Sequence, residues 1–257
     1  VFKGHSSWVN CVAILNDSTH QLCKSGSCIV SGSRDRTVRI WDVTGREGKD
    51  GCLHVFNGCL RVFKGLSHWI SSVAILNDSS HQLCESGLCI VSASNDRTVR
   101  IWDATGKEGE DGCLRVFEGH SGDVNSVAIL NDPSHQLCKS GLCVVSGSEY
   151  MTVRIWDATG SEGEDGCLRV FKGHSKSWVT SVGILNDPTH QLCKSGLCVV
   201  SGSHDSIVRI WDATGREGED GCLRVFKGHS PVRGLCISNE IFSVPTWRES
   251  CTKKICN

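Results

Sequence analysis

The sequence predicts an all-β fold built from four tandem four-stranded units, and three observations lead there. One string closes every unit: TVRIWD at 37–42, 98–103 and 152–157, and IVRIWD at 207–212. Its tryptophans, Trp41, Trp102, Trp156 and Trp211, fall 61, 54 and 55 residues apart, so the chain is a repeat array and not one irregular domain. Each unit opens on a Gly-His-like dipeptide: Gly4-His5, Gly65-Leu66, Gly119-His120 and Gly173-His174, with a fifth at Gly228-His229. Between these landmarks the apolar residues alternate or form short runs bounded by Gly, Asn, Asp and Ser, the pattern of strands and tight turns; helix is close to absent.

Taken in order, the first unit has strand a at 8–15, strand b at 28–33, strand c at 37–41 and strand d near 52–56. Strand c is filled by Val, Ile and Thr and carries large residues on both sides, Val38 and Ile40 on one, Arg39 and Trp41 on the other. Such a strand suits a sheet packed between two neighbours about 10 Å away. Stability must then come from adjacent units. A duplication in the first unit, CLHVFNG followed by CLRVFKG, lengthens the first interval to 61.

A Gly-His opening, a Ser-Gly-Ser-x-Asp turn and a closing Trp-Asp resemble the WD-repeat family, whose repeats build the four-stranded blades of a β-propeller. The resemblance covers residues 1 to about 229 and implies blade 1 at 1–60, preceded at 1–3 by the end of an earlier strand d. Blades 2, 3 and 4 follow at 61–117, 118–171 and 172–226, and a partial, degenerate fifth repeat and tail occupy 227–257. Family members usually close with more blades than these, so the resemblance implies a partial or open propeller, a piece of a longer array. Its uncovered blade faces offer a route to self-association. Repeats here exceed the family's roughly 40–45 residues in two places, the a–b connection at 16–26 and the acidic stretch after Trp-Asp, both on the bottom face by resemblance.

His5, Ser31, Asp35 and Trp41 match the family's structural tetrad, as do His174, Ser201, Asp205 and Trp211. The second copy has Ser92, Asp96 and Trp102 with Leu66 in place of His; the third has His120, Ser146 and Trp156 with Tyr150 in place of Asp. Tryptophan only donates and aspartate only accepts, so a chain Trp–Ser–His–Asp has fixed ends. Leu66 is expected to strand Ser92 and Asp96, and Tyr150 to strand His120. A Ser, a His and an Asp together suggest a hydrolase triad. The nucleophile would, however, lie buried beneath Trp, away from any pocket with oxyanion donors, and two copies lack a member. The reading is therefore not an enzyme.

Cysteine is abundant, seventeen residues, because one pattern is copied four times. His-x2-Cys-x4-Cys recurs at His20, Cys23 and Cys28; at His81, Cys84 and Cys89; at His135, Cys138 and Cys143; and at His190, Cys193 and Cys198. A strand-d cysteine follows in each copy, Cys52, Cys113, Cys167 and Cys222. Three fates compete: free buried thiols, the leading one; a hairpin disulfide across Cys-x4-Cys; and zinc, disfavoured because strands b and d are separated by strand c.

A formal net charge of −1 over 257 residues gives no electrostatic footprint for nucleic acid or an anionic membrane. No apolar run approaches the roughly 18 residues of a membrane span. No cofactor is expected: Asp103-Ala-Thr-Gly-Lys lacks the alternating carboxylates of a calcium loop, and Gly106-Lys107-Glu108 fails the ending of a phosphate loop. Compartment, read from these absences, is cytoplasmic or nuclear.

Comparing the copies with each other shows fixed connections on one side and varied residues on the other. The varied positions are Trp8, Asn10, Arg34 and Arg36 in copy one, and Trp69, Ser71, Asn95 and Arg97 in copy two. Copy three has Asp123, Asn125 and Glu149 beside Met151; copy four has Trp178, Thr180 and His204 beside Ser206. By resemblance these are top-face positions, and exposed Trp and Arg together have the composition of a binding hot spot. The function expected is a non-catalytic scaffold or recognition module for a protein or peptide, similar to the sensor parts of NACHT-type proteins. The alternative is a cysteine-based metal-binding or redox protein.

Overall fold

The computed structural model describes residues 4–17, 26–43, 59–78, 83, 86–105, 112–132, 137, 140–160, 166–174, 177–186, 195–215 and 221–235. They form four antiparallel sheets of four strands each, in sequence order. The first is β1 (Val9–Asn16), β2 (Ser27–Ser33), β3 (Val38–Asp42) and β4 (Cys59–Phe63); the second is β5 (Ile70–Asn77), β6 (Leu88–Ser94), β7 (Val99–Asp103) and β8 (Cys113–Phe117). The third comprises β9 (Val124–Asn131), β10 (Leu142–Ser148), β11 (Thr152–Asp157) and β12 (Cys167–Lys172). The fourth comprises β13 (Val179–Asn186), β14 (Leu197–Ser203), β15 (Ile207–Asp212) and β16 (Cys222–Lys227). No described helix is long and apolar enough to cross a membrane.

One strand differs from expectation. The fourth strand of the first blade is Cys59–Phe63, the second member of the duplicated pair: Val38 pairs with Phe63 and Ile40 with Arg61. The sheet therefore runs past the boundary expected at 60, and the segment near 52–56 lies outside the described residues, as do the acidic stretches and most of the a–b connections. Two near-identical segments satisfy the same side-chain pattern, and only backbone pairing to β3 separates them.

The chain divides into two compact units, Val1–Val116 and Phe117–Asn257. In the first, the second blade packs its innermost strand β5 against β1 and β2. Ile70, the first residue of β5, is fully buried over Gly32 of β2, where an added Cβ would stand 2.5 Å from Ile70 Cγ2 and 2.7 Å from Cys11 Sγ. Behind this contact lies a core of Val38, Ile40, Phe63, Val73, Leu88 and Ile90. Phe63 leans on the ring of Trp102 at 5.5 Å.

The second unit repeats the joint. Val179 of β13 sits over Gly147, whose Cβ would meet Val179 Cγ1 at 2.6 Å, and Phe171 stacks on Trp211 at 5.3 Å. The start of the fifth repeat makes the same contact, with Val232 over Gly202.

Backbone irregularity makes these joints specific. In every blade the pairing of the first two strands slips by one residue, leaving Asn10, Ser71, Asn125 and Thr180 as the extra residue of a β-bulge. A bulge re-aims its side chain. Asn10 Nδ2 donates to the carbonyl of Ile70 at 2.8 Å and Asn125 Nδ2 to that of Val179 at 2.9 Å, while the Thr180 hydroxyl donates to the carbonyl of Val232. One residue further, Ser126 Oγ accepts from Val182 N at 3.1 Å and Ser181 Oγ from Leu235 N at 3.1 Å. Cys11 stands at the matching place in the first blade and bonds to the Val73 backbone; burial pushes its thiol up to about 12.

Val12 and Ile14 are 64% and 66% exposed, whereas Val73, the counterpart of Val12 on β5, is 9% exposed against the preceding sheet.

Because the joint has no room for a methyl group, Gly32→Ala should cost about 1–3 kcal/mol, the range for overpacking a close-packed interior. Thermal unfolding followed by circular dichroism checks it. An unchanged melting temperature would show that Ile70 yields freely.

Candidate functional site

At one end of each sheet the loop entering the first strand meets the turn between the second and third. In the first blade Arg34 N donates to the Trp8 carbonyl at 2.9 Å; Asn95 to Trp69, Glu149 to Asp123 and His204 to Trp178 repeat the bond. A serine at the base of the turn, Ser33, Ser94, Ser148 or Ser203, is completely buried and ties both sides together. Ser33 Oγ accepts from Asp35 N at 3.0 Å and donates to the Ser7 carbonyl at 3.3 Å. The turn closes with Arg36, Arg97, Met151 and Ser206 in the left-handed region, φ 62–73°. That is the place a three-residue hairpin loop ordinarily gives to glycine.

Beneath this rim lie the buried bonding chains. Trp41 Nε1 donates to Ser31 Oγ at 2.7 Å, Ser31 Oγ lies 2.7 Å from His5 Nε2, and His5 Nδ1 lies 2.8 Å from Asp35 Oδ2. The corresponding distances for Trp211, Ser201, His174 and Asp205 are 2.8, 2.8 and 2.9 Å. Burial pushes His5 and His174 below the ordinary imidazole value against the opposing pull of Asp35 and Asp205. Burial would raise Asp35, but bonds from Thr37, His5 and Ser6 outweigh it and hold the carboxyl low.

The two incomplete copies are not left with stranded groups, contrary to the expectation. Around buried Leu66, Ser92 still accepts from Trp102 at 2.9 Å, and Asp96 accepts from Thr98 Oγ1 at 2.6 Å, Thr98 N at 3.0 Å and Ser67 N at 3.2 Å. In the third blade Ser146 joins Trp156 and His120 at 2.8 and 2.7 Å, and His120 Nδ1 finds Thr152 Oγ1 at 3.1 Å. With no carboxylate to oppose it, burial lowers His120 to about 3, and Arg154 adds to the shift. Tyr150 instead turns out to the surface over Gly122, where an added Cβ would meet its Cδ2 at 2.1 Å. The other copies carry Ser7, His68 and Ser177 at this position, so the Gly and the Tyr form one coupled change.

On the rim the structure separates the varied residues into two sets. Asn10, Asn125 and Thr180 are the bulge residues already bonded across a blade joint, and Ser71 Oγ donates to the Ala93 carbonyl at 3.1 Å. Their polar groups serve the scaffold. Sequence spacing placed them beside the Trp positions, but it could not show the bulge that turns them sideways.

Trp8, Trp69 and Trp178 remain at the surface, 71%, 39% and 50% exposed. In the first unit Arg34 lies between two of them, its Cζ 4.4 Å from the Trp8 ring and 4.4 Å from the Trp69 ring. His68 flanks Trp69 at 5.0 Å, a neighbour that the repeat comparison missed because only its own copy carries His there. In the second unit Trp178 pairs with His204 at 5.8 Å. Arg36 and Arg97 are exposed, Asn95 and Glu149 half-buried, and Asp123 half-buried in the place of a Trp.

Cys28, Cys89, Cys143 and Cys198 are disulfide-bonded. Cys11, Cys113, Cys167 and Cys222 form no disulfide. The leading expectation of free thiols is thus overturned at the four strand-b positions. A zinc site using them loses that ligand in every blade. Among the described residues no cluster of His, Cys, Asp or Glu is arranged to hold a metal ion. The histidines of the repeated motif lie outside those residues.

Four-stranded antiparallel blades, each pinned by a buried indole-to-serine bond, define a propeller-type repeat protein. The chain belongs to the WD-repeat family: the sequence model of the WD domain, G-beta repeat, matches residues 1–42, 52–103, 111–157 and 165–212. It is 27% identical over 223 residues to a ribosome biogenesis protein WDR12 homolog of Nematostella vectensis, covering 81% of this chain and 45% of that protein. It is also 27% identical over 222 residues to nuclear distribution protein PAC1-2 of Uncinocarpus reesii, covering 81% and 40%. A WDR12 homolog of Trichoplax adhaerens is 30% identical over 162 residues, 63% and 29%. The chain thus spans less than half the length of these relatives. Proteins of this family act as protein-interaction scaffolds.

Two expectations follow from the buried groups. His120 is held neutral in the fold, so the unfolded chain binds its proton first: stability is full above 6.5 and falls as pH drops from 6.5 towards about 3. Tyr150→Asp restores an acceptor, raises the His120 value and should make that fall shallower, besides adding about 1 kcal/mol at neutral pH. Denaturant titrations across this range, with His120 followed by NMR, read both effects. For the cysteines, alkylation of the native chain should mark peptides bearing Cys28, Cys89, Cys143 and Cys198 only after reduction. Labelling of all four without reductant would contradict the bonded state.

Proposed function

We propose that the chain is a non-catalytic interaction module that captures a protein or peptide partner on the rim holding Trp8, Arg34 and Trp69. The observation that carries the proposal is the pair of exposed indoles, on adjacent blades, fixed around one guanidinium. Large aromatic and arginine side chains at the surface dominate binding energy where partners dock, and these fill no blade core. Arg36, Asn95 and Arg97 extend the varied rim of the first unit, and Asp123, Glu149, Trp178 and His204 make up that of the second. Nothing about the buried Ser, His and Asp groups favours catalysis: Ser31 and Ser201 are covered and take their bonds from Trp.

The near-identity of the copies, with change gathered at the rim, supports a recognition role of the kind served by the sensor parts of NACHT-type proteins. The exposed Val12 and Ile14 on β1 favour a second contact, through which another blade or a second copy packs on that face.

Capture from an extract of the native source tests the main reading. Trp8→Ala and Trp69→Ala should each weaken retention of the partner by roughly thirtyfold, the effect of removing an anchor of about 2 kcal/mol. Asn16→Ala, at the far end of β1, should leave it unchanged, and circular dichroism should show all three folded. Loss with Asn16→Ala and none with the Trp variants would reverse the face.

A further inference from the structure

We infer that the rim of the first unit recognises an anionic side chain, a carboxylate or a phosphorylated hydroxyl, presented by an extended segment of the partner, with Arg34 as the fork that receives it. This rests on the reading of the rim as the partner-binding face and adds the chemistry of what is bound.

The geometry of Arg34 points to it. Its Cζ stands 4.4 Å from each of the Trp8 and Trp69 rings, and its Nε donates to Asn10 Oδ1 at 3.4 Å. Asn10 is itself oriented, because its Nδ2 is bonded to the Ile70 carbonyl. The group is therefore held by two rings and at one edge, and the edge carrying the two Nη groups, which makes no hydrogen bond among the described residues, is left for a ligand. A planar fork held in this way matches the paired oxygens of a carboxylate or phosphate, and its ordering cost is met before binding.

Charge around the fork agrees. Among the described residues Arg34, Arg36 and Arg97 take part in no ion pair. The two rim carboxylates of this unit, Asp35 and Asp96, have side chains 4% exposed and bonded inward. Three arginines thus set a positive surface on a chain whose formal net charge is −1. The rim of the second unit carries Asp123 and Glu149 instead, so this chemistry belongs to the first unit alone.

A protein segment fits better than a nucleic acid. Arg34 already stands 4.4 Å from both the Trp8 and Trp69 rings, so a base would have to displace it to lie between them. Three arginines also fall short of the charged track that carries single strands.

The test uses the whole chain and three peptides built on one Gly-Ser frame, bearing glutamate, phosphoserine or glutamine at alternate positions, with binding read from tryptophan fluorescence. At low salt the glutamate or phosphoserine peptide should bind at least tenfold tighter than the glutamine peptide, and the stronger of the two identifies the source of the anion. Arg34→Lys keeps the charge but loses the planar fork, and it should weaken anionic binding about tenfold; Arg34→Gln should weaken it further. Lys172→Gln should change nothing, and circular dichroism of each variant should match the parent.

Equal binding of the glutamine peptide, an Arg34→Lys variant that binds like the parent, absence of saturable binding by either anionic peptide, or tighter binding of an oligothymidylate would each overturn the inference. If a partner is still captured in a Trp8-dependent way while the peptides fail these criteria, the interaction module stands and the anion chemistry alone falls.

Discussion

The structure depends on the bond between a buried indole and a buried serine. Trp41, Trp102, Trp156 and Trp211 are at most 1% exposed, and an indole N–H has no alternative to donating. Left without an acceptor inside the protein, each would carry the full cost of desolvation. Ser31, Ser92, Ser146 and Ser201 supply that acceptor at 2.7–2.9 Å in every copy. His and Asp complete the chain in only two of the four, so the donor-only residue and its hydroxyl are the constant and the remainder is adjustable. The bond locks the third strand to the second, and through the histidine, where present, to the loop that enters the first. This holds the rim in place.

Blades 2 and 3 show how the adjustment is made. Asp96 loses a histidine and keeps its place through a threonine two residues on. His120 loses an aspartate and turns to Thr152, which in the first blade serves the carboxylate as Thr37. The same hydroxyl can thus accept or donate as its neighbours require. A gap in the repeat signature is then a local exchange of partners, and the expectation that Leu66 and Tyr150 leave buried groups without bonds neglected this third residue.

The fold was legible in the sequence because repetition showed each element four times and the donor and acceptor rules of Trp and Asp fixed their neighbours. The fourth strand of the first blade was not, since CLHVFNG and CLRVFKG carry the same pattern and only pairing with β3 selects Cys59–Phe63. The candidate site was half legible. Trp8, Trp69 and Arg34 stood out as varied residues of the right type, yet their meeting joins positions 61 residues apart through a blade joint. That Asn10, Asn125 and Thr180 bond across the blade joints was not legible, because a one-residue bulge changes where a side chain points without leaving a mark in composition. The oxidation of Cys28 and its counterparts was not legible either, since the spacing Cys-x4-Cys permits a disulfide but does not require one.

The blade joint has a genetic consequence. In each unit it is made of the same parts, an apolar residue over a glycine, a bulge side chain on a carbonyl and a hydroxyl or thiol on an amide. A misaligned recombination that joined copies carrying these parts would bring together surfaces that already fit, whereas the second copy has Ala93 at the glycine position. Gene rearrangement could change the number and order of copies without a new joint having to evolve, and each rearrangement would place a different set of Trp, Arg, Asp or His residues side by side on the rim.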